Sequence, residues 1–237
     1  VGVVAWMWRL ILSSGTGASF GFLVARDAYD TAIMAPLFIL MSLSLGMAVF
    51  WVSTLTMCRW NGYPLSPELS VKLRRLSALF ILAGLYLVAL QHLTNLYMAH
   101  HQGIERFLLV DGGVYPWLFW LGFVLCGGIV PVWWFLDRRF STPVWTLTGA
   151  LMVIIGGLCH LYVIIIGAQA YPLRLVSGYR VNSGFYDGEI TPYLPTLPEF
   201  ALGIGGVSLA LLMTMVAVRV LPFLPTATGP LPGPNQN

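Results

Sequence analysis

The sequence is poor in charge: Asp, Glu, Lys and Arg make up only 9% of its 237 residues, against about 25% in a typical soluble domain. A water-facing surface cannot be built from so few charges, which excludes a soluble enzyme, a disordered chain and a nucleic-acid binder. Cysteine is also scarce. The three, at 58, 126 and 159, form no CxxC pair and are odd in number, so neither an iron–sulfur cluster nor a disulfide framework is encoded. Any redox cofactor must sit elsewhere or be bound without thiolates. The excess of 12 basic over 9 acidic residues is too small for a polyanion-binding face. No repeat of about 20 to 50 residues is visible, and nothing marks a second domain.

Apolar residues are what the chain has instead. They make up 58% of it, with nine Trp and a mean hydropathy of +0.81, the composition of a protein whose outer surface faces lipid. A membrane helix needs about 20 mostly apolar residues, and five runs qualify: 35–57, 76–98, 114–135, 144–168 and 198–221. Residues 1–12 are a shorter apolar stretch without a basic leader segment. They read as the end of a helix that starts upstream, or, alternatively, 1–25 form one span containing Arg9. The expected fold is an all-α integral membrane protein, a polytopic transmembrane helix bundle over 1–225 with five clear spans and a partial N-terminal one. The Pro- and Gly-rich tail, 226–237, has no apolar periodicity and is expected to be disordered.

Basic residues choose the side of the membrane. Arg59, Lys72, Arg74, Arg75, Arg138, Arg139 and Arg219 fall on one face; Arg26, Arg106, Arg174 and Arg180 fall on the other. The set of seven is expected in the cytoplasm, which leaves segments 13–34, 100–113 and 169–197 outside.

Ionisable groups inside hydrocarbon are costly and therefore point to function. In the second span, Gln91 and Asn95 share a helix side at i,i+4 spacing, with His92 about 100° round from Gln91. In the fourth span, His160 follows Gly156 and Gly157, small residues that admit a close neighbour. Both His lie 16 residues into their spans, roughly 24 Å into a core of roughly 30 Å. Two imidazoles at one depth are open to three readings: an interhelical hydrogen bond, axial ligation of a b-type haem, or a pocket where imidazole and amide bond the oxygens of a quinone.

Further groups lie at the outer edge. Thr196 and Glu199 match the T-x-x-E capping box, and Pro198 suits a first helical turn; Glu199 is thus a cap, a proton acceptor at the mouth of the site, or both. Asp27 and Asp30 are candidates for proton uptake, although Arg26 and Asp30, four residues apart, are expected to pair at a solvated helix end. The 169–197 loop is too long for a simple connector. It holds Tyr171, Tyr179, Phe185, Tyr186 and Tyr193 beside Arg174 and Arg180, a composition suited to protein docking or to an interfacial aromatic belt.

Three segments carry a resemblance. ARDAYDTAIMAPLFILMSLSLGMAVF, 25–50, places a polar stretch before a helix with Pro36, Phe38, Ser42, Gly46 and Ala48; FWLGFVLCGGIVP, 119–131, is an F-W helix ending in Gly and Pro; GGLCHLYVIIIGAQAYP is followed by YLPTLPEF, with Tyr193, Pro195, Thr196 and Glu199 as Y-x-P-[ST]-x-x-E. Over nearly its whole length the chain resembles the NrfD/PsrC family, the polysulfide reductase-type quinone-interacting membrane subunits, with their DsrP- and HybB-like members. The resemblance implies a haem-free, metal-free subunit of roughly eight or more helices. Such a subunit exchanges electrons between menaquinone or ubiquinone and an extracytoplasmic iron–sulfur partner, in a bacterial or archaeal cytoplasmic membrane. It also implies that the first helices precede the sequence given, and it adds Tyr162, beside His160, to the cofactor-binding candidates His92, His160, Gln91 and Asn95. Glu199, Asp27 and Asp30 are the proton-handling candidates, and no residue is expected to hold a metal. The rival expectations are a transporter or channel subunit, favoured by discontinuous helices, and a structural anchor without a site.

Overall fold

The structure, a computed structural model, describes residues 2–24, 26–61, 65–172, 184, 189–190, 193 and 195–220. Among them every regular element is helical. In chain order these are α1 (Gly2–Gly21), α2 (Met34–Asn61), α3 (Pro67–Tyr97), the short α4 (Gln102–Arg106), α5 (Val114–Leu136), α6 (Pro143–Ala170) and α7 (Leu197–Val220). Five of them, α2, α3, α5, α6 and α7, are long and apolar enough to cross a membrane, and they coincide with the five runs read from the sequence. This is a multi-pass, all-α membrane protein. The chain divides into two compact units, Val1–Pro192 with α1 to α6 and Tyr193–Asn237 with α7.

Local chemistry sets the helix ends. Ser66, Pro67 and Glu68 start α3, an N-cap residue, a proline with the right φ and an acid facing the helix dipole. The helix therefore begins nine residues before the apolar run at 76. Arg74, expected in a cytoplasmic loop, is instead helical and buried. Its Nη2 donates to the carbonyl of Trp134, which the end of α5 leaves without a helical partner, and to that of Asp137, which also accepts from Phe140 N.

Residues 13–21, read as part of an external segment, are also helical. The Ser14, Thr16 and Ser19 hydroxyls donate back to Leu10 O, Leu12 O and Gly15 O at 2.7, 3.0 and 2.9 Å, which hides their polarity within the helix. Ser13 Oγ bonds Ser42 Oγ across to α2 at 3.1 Å.

Within the first unit the side chains sort by solvent in the sense lipid demands. Trp51, Ile81, Val132 and Phe135 form one buried cluster and Tyr29, Met34, Leu37, Ile104, Leu108 and Val163 another, while Trp6, Leu79, Tyr86, Leu93, Trp120 and Ile155 are exposed. Helices α5 and α6 meet backbone to backbone. A Cβ on Gly156 would lie 2.2 Å from Gly127 Cα, so the crossing exists only because both residues are glycine. Both helices are locally rewound with i→i+5 hydrogen bonds, α5 over Leu118–Ile129 and α6 over Val163–Gly167; α4 runs into a similar turn, Phe107–Asp111. Such widened turns leave carbonyls without their usual partners. All three border the site described next.

Candidate functional site

After α3 ends at Tyr97 the chain turns and folds back as α4, which is too short to be stable alone. Burial holds it. His101, Ile104, Glu105 and Leu108 follow the i, i+3, i+4, i+7 spacing of one helix face, and all four are buried. Glu105 is 1% exposed. A carboxyl group taken out of water is costly unless its oxygens find partners, and here both do: Oε2 lies 2.6 Å from His92 Nδ1, and Oε1 accepts from Asn95 Nδ2 at 2.7 Å. The Asn95 amide is thereby oriented with Oδ1 toward His101 Nδ1, 3.3 Å away. In that arrangement Nδ1 of His101 carries the proton. Its Nε2 has no hydrogen-bond partner among the described residues. Burial, with His100 beside it, pushes His101 below the ordinary imidazole range, against the pull of Asp27, Asp30 and Glu105.

His160 faces this group from α6. It is 1% exposed, and neither ring nitrogen has a partner among the described residues. Its position comes from stacking: the Phe123 ring lies flat on it, with centroids 4.0 Å apart and planes 13° from parallel. Phe119 packs against both imidazoles, 4.8 Å from His92 and 6.2 Å from His160. His92, Glu105, His160, Gln91 and Tyr29 line one small cavity with room for about one water molecule. An imidazole with two unused nitrogens beside a His–carboxyl pair can donate to one oxygen-bearing ligand, accept from it, and pass a proton on.

Tyr29 closes the cavity on a further side. Its hydroxyl is shared between Ile164 O at 2.8 Å and Ile165 O at 3.1 Å, two carbonyls of the rewound turn in α6. Burial pushes its pKa up to about 12, against a lowering by the Arg26 charge, so the hydroxyl keeps its proton.

The structure therefore gathers Gln91, His92, Asn95 and His160, and the matching depth of the two imidazoles is a shared cavity. Asp27 and Asp30 lie where their charges reach His101. The expected Arg26–Asp30 pair does not form: residues 26–30 make turns rather than a helix, and Arg26 Nη1 donates instead to Gln169 O and Tyr171 O at 3.0 and 2.9 Å. Tyr162 stacks on Tyr115, centroids 6.2 Å apart, and is not among the cavity-lining residues. In the second unit Glu199 Oε2 accepts from Thr196 N at 2.8 Å and from Tyr193 Oη at 2.6 Å, which makes it the reaching-back member of a capping box. Arg174, Tyr179, Arg180, Phe185, Tyr186 and the 226–237 tail lie outside the described residues.

Glu105, His101 and Tyr29 were missed in the sequence. The four-residue stripe through His101 and Glu105 is the signal that could have found two of them.

Comparison with known proteins adds the following. Residues 1–172 match the family described as "Polysulphide reductase, NrfD". The Hdr-like menaquinol oxidoreductase integral membrane subunit of Archaeoglobus fulgidus is 28% identical over 236 residues, covering 94% of this chain and 57% of that protein. A putative dimethyl sulfoxide reductase membrane subunit of Halobacterium salinarum is 28% identical over 228 residues, 90% of this chain and 50% of the relative. A selenate reductase subunit of Mesobacillus selenatarsenatis is 26% identical over 212 residues, 88% and 47%. The chain thus spans about half the length of the curated relatives it matches. No solved structure matches it.

Proposed function

This chain belongs to the polysulphide reductase NrfD family, and from that and its buried polar cluster we propose that it is the quinone-binding membrane subunit of a respiratory oxidoreductase. The observation that carries the reading is His160, buried with both ring nitrogens unused among the described residues and lining the same cavity as the His92–Glu105 pair. A quinone supplies two-electron, two-proton chemistry. The donor set fits its oxygens: His160 can donate to a carbonyl or accept from a quinol hydroxyl, and the His92–Glu105 pair can take up or return the proton. Asn95 holds the carboxyl group of the pair, Gln91 lines the cavity beside it, and the Tyr29 hydroxyl binds two carbonyls of the rewound turn of α6. The cavity has room for about one water molecule, the size of one such oxygen and not of the ring that carries it. Menaquinone is the favoured ligand, because a relative is named a menaquinol oxidoreductase subunit.

In this reading electrons are exchanged with an extracytoplasmic iron–sulfur subunit, and the complex sits in a bacterial or archaeal cytoplasmic membrane with 100–113 and 169–197 outside. The basic-residue bias supports the orientation. A b-type haem fits the cluster poorly. Phe119 packs against both imidazoles, where a porphyrin ligated by the two would need a gap of its own breadth. A solute path is supported no better, since α5 and α6 are rewound but run without interruption.

The test is equilibrium binding of a water-soluble quinone analogue to the full-length protein purified in detergent. His160→Leu should weaken binding by about tenfold or more, a lost hydrogen bond in a desolvated site, while Gly46→Ala, at a position with open space around it, should leave it unchanged. Equal binding in His160→Leu would remove this residue, and the reading built on it, from the site.

A further inference from the structure

The sequence reading expected no metal ligand in this chain, yet one cluster has the chemistry of a ligand set. One donor atom from each of Asp30, His100 and His101 lies within 4.8 Å of the others. The His100 and His101 rings are edge to face with centroids 3.9 Å apart. Proximity alone would carry little. The second observation is the state of His101: it is 1% exposed, its Nδ1 faces Asn95 Oδ1 at 3.3 Å, and its Nε2 is buried with no partner among the described residues. An orphaned buried ring nitrogen calls for an explanation. An imidazole that gives one N–H to an amide oxygen and presents the other nitrogen bare is the arrangement that metal-bound histidines adopt, because the outer bond fixes the tautomer and the ring direction.

We propose that Asp30, His100 and His101 bind one divalent transition-metal ion, with His101 Nε2 as the buried ligand. Two imidazoles and one carboxylate select a borderline ion such as Zn2+ over Mg2+ or Ca2+, and three protein ligands leave a fourth position to water. The site is coupled to the buried cluster through side chains already bonded in series: His101 to Asn95, Asn95 to Glu105, Glu105 to His92. An ion there fixes His101 and, through Asn95, the orientation of the Glu105 carboxyl group. Under the quinone reading, on which this last step rests, Zn2+ should inhibit turnover by holding that chain rigid.

The experiment is Zn2+ binding by isothermal titration to the full-length protein purified from membranes in detergent, repeated with Co2+ to read its coordination by visible absorption. The expected result is one saturable ion, with affinity falling by tenfold or more in His101→Gln, Asp30→Asn and His100→Ala. Asn95→Asp should change the affinity too, because it alters the outer bond to His101. His100 is exposed, so His100→Ala keeps the test meaningful should His101→Gln fail to fold. Absence of stoichiometric Zn2+ binding, or binding unaltered in both His100→Ala and Asp30→Asn, overturns the proposal. Binding that follows these variants while turnover ignores Zn2+ upholds the metal site and sinks only its coupling to quinone chemistry.

Discussion

His92 Nδ1 and Glu105 Oε2 stand 2.6 Å apart at the meeting of α3 and the folded-back α4. They come from a transmembrane helix and from the segment that follows it, so the contact fixes where α4 lies. It also puts a carboxyl group where the bundle would otherwise offer only imidazole and amide. The position of α4 and the chemistry of the cavity thus rest on one short bond, and disturbing it should affect both in separable ways.

Glu105→Gln keeps the size of the side chain and one acceptor oxygen for Asn95 while removing the exchangeable proton. We expect the protein to accumulate normally and quinol-linked electron transfer to fall by about 10^2-fold, the lower range for loss of a positioned acid or base. Glu105→Leu, which leaves the Asn95 donor unpaired in a buried place, should reduce accumulation as well. Activity equal to the parent in Glu105→Gln would reassign the residue to packing alone.

Much of this arrangement is legible in the sequence alone. Five spans follow from apolar runs alone because lipid leaves little choice of surface, and the equal depth of His92 and His160 follows from counting residues at a fixed rise. Spacing rules failed where they assumed the wrong local geometry. The i,i+4 spacing of Arg26 and Asp30 brings side chains together only on a helix, and 26–30 is a run of turns. The Ser and Thr residues of α1 look like a polar connector, but Ser14, Thr16 and Ser19 bond the carbonyl four residues back and Ser13 bonds Ser42. Arg74 falls in a loop only if charge is assumed to end a span, whereas the Trp134 and Asp137 carbonyls give a buried guanidinium partners there. Glu105 was hidden because α4 is short and lies between spans, where a carboxylate draws no notice.

The glycine crossing offers a test of packing without chemistry. With 2.2 Å between a Cβ on Gly156 and Gly127 Cα, Gly156→Ala must push α5 and α6 apart, at a cost of about 1–3 kcal/mol for an overpacked contact. Thermal unfolding in detergent should show a clearly lower midpoint. Gly46→Ala in α2 meets nothing within 4 Å and should be neutral or slightly stabilising, since alanine favours helix. Equal midpoints for the two variants would mean that the crossing is looser than described.

Orientation can be read directly. Arg74 is a poor reporter because it is buried, whereas Lys72 and Gln102 are exposed. Cysteine at 102 should react with an impermeant maleimide in intact cells, and cysteine at 72 only after lysis. The opposite pattern would place the α4 end, and any subunit docked there, in the cytoplasm.

Glu199 separates two roles that share one geometry. Its Oε2 accepts from Thr196 N and Tyr193 Oη, so it caps α7 whatever else it does. Gln at the same position offers an amide oxygen that can accept both bonds, and it is itself a capping-box residue, so the start of the helix should survive Glu199→Gln and accumulation should be normal. A proton-relay role should not survive, because an amide neither gains nor releases a proton near neutral pH. We therefore expect quinol-linked electron transfer to fall by about 10^2-fold in Glu199→Gln at unchanged abundance. Tyr193→Phe, which removes one of the two bonds but leaves the carboxyl group, should remain largely active. Parent-like turnover in Glu199→Gln would confine the residue to its cap. Poor accumulation, with the surviving protein fully active, would instead show that the charge serves assembly rather than proton transfer.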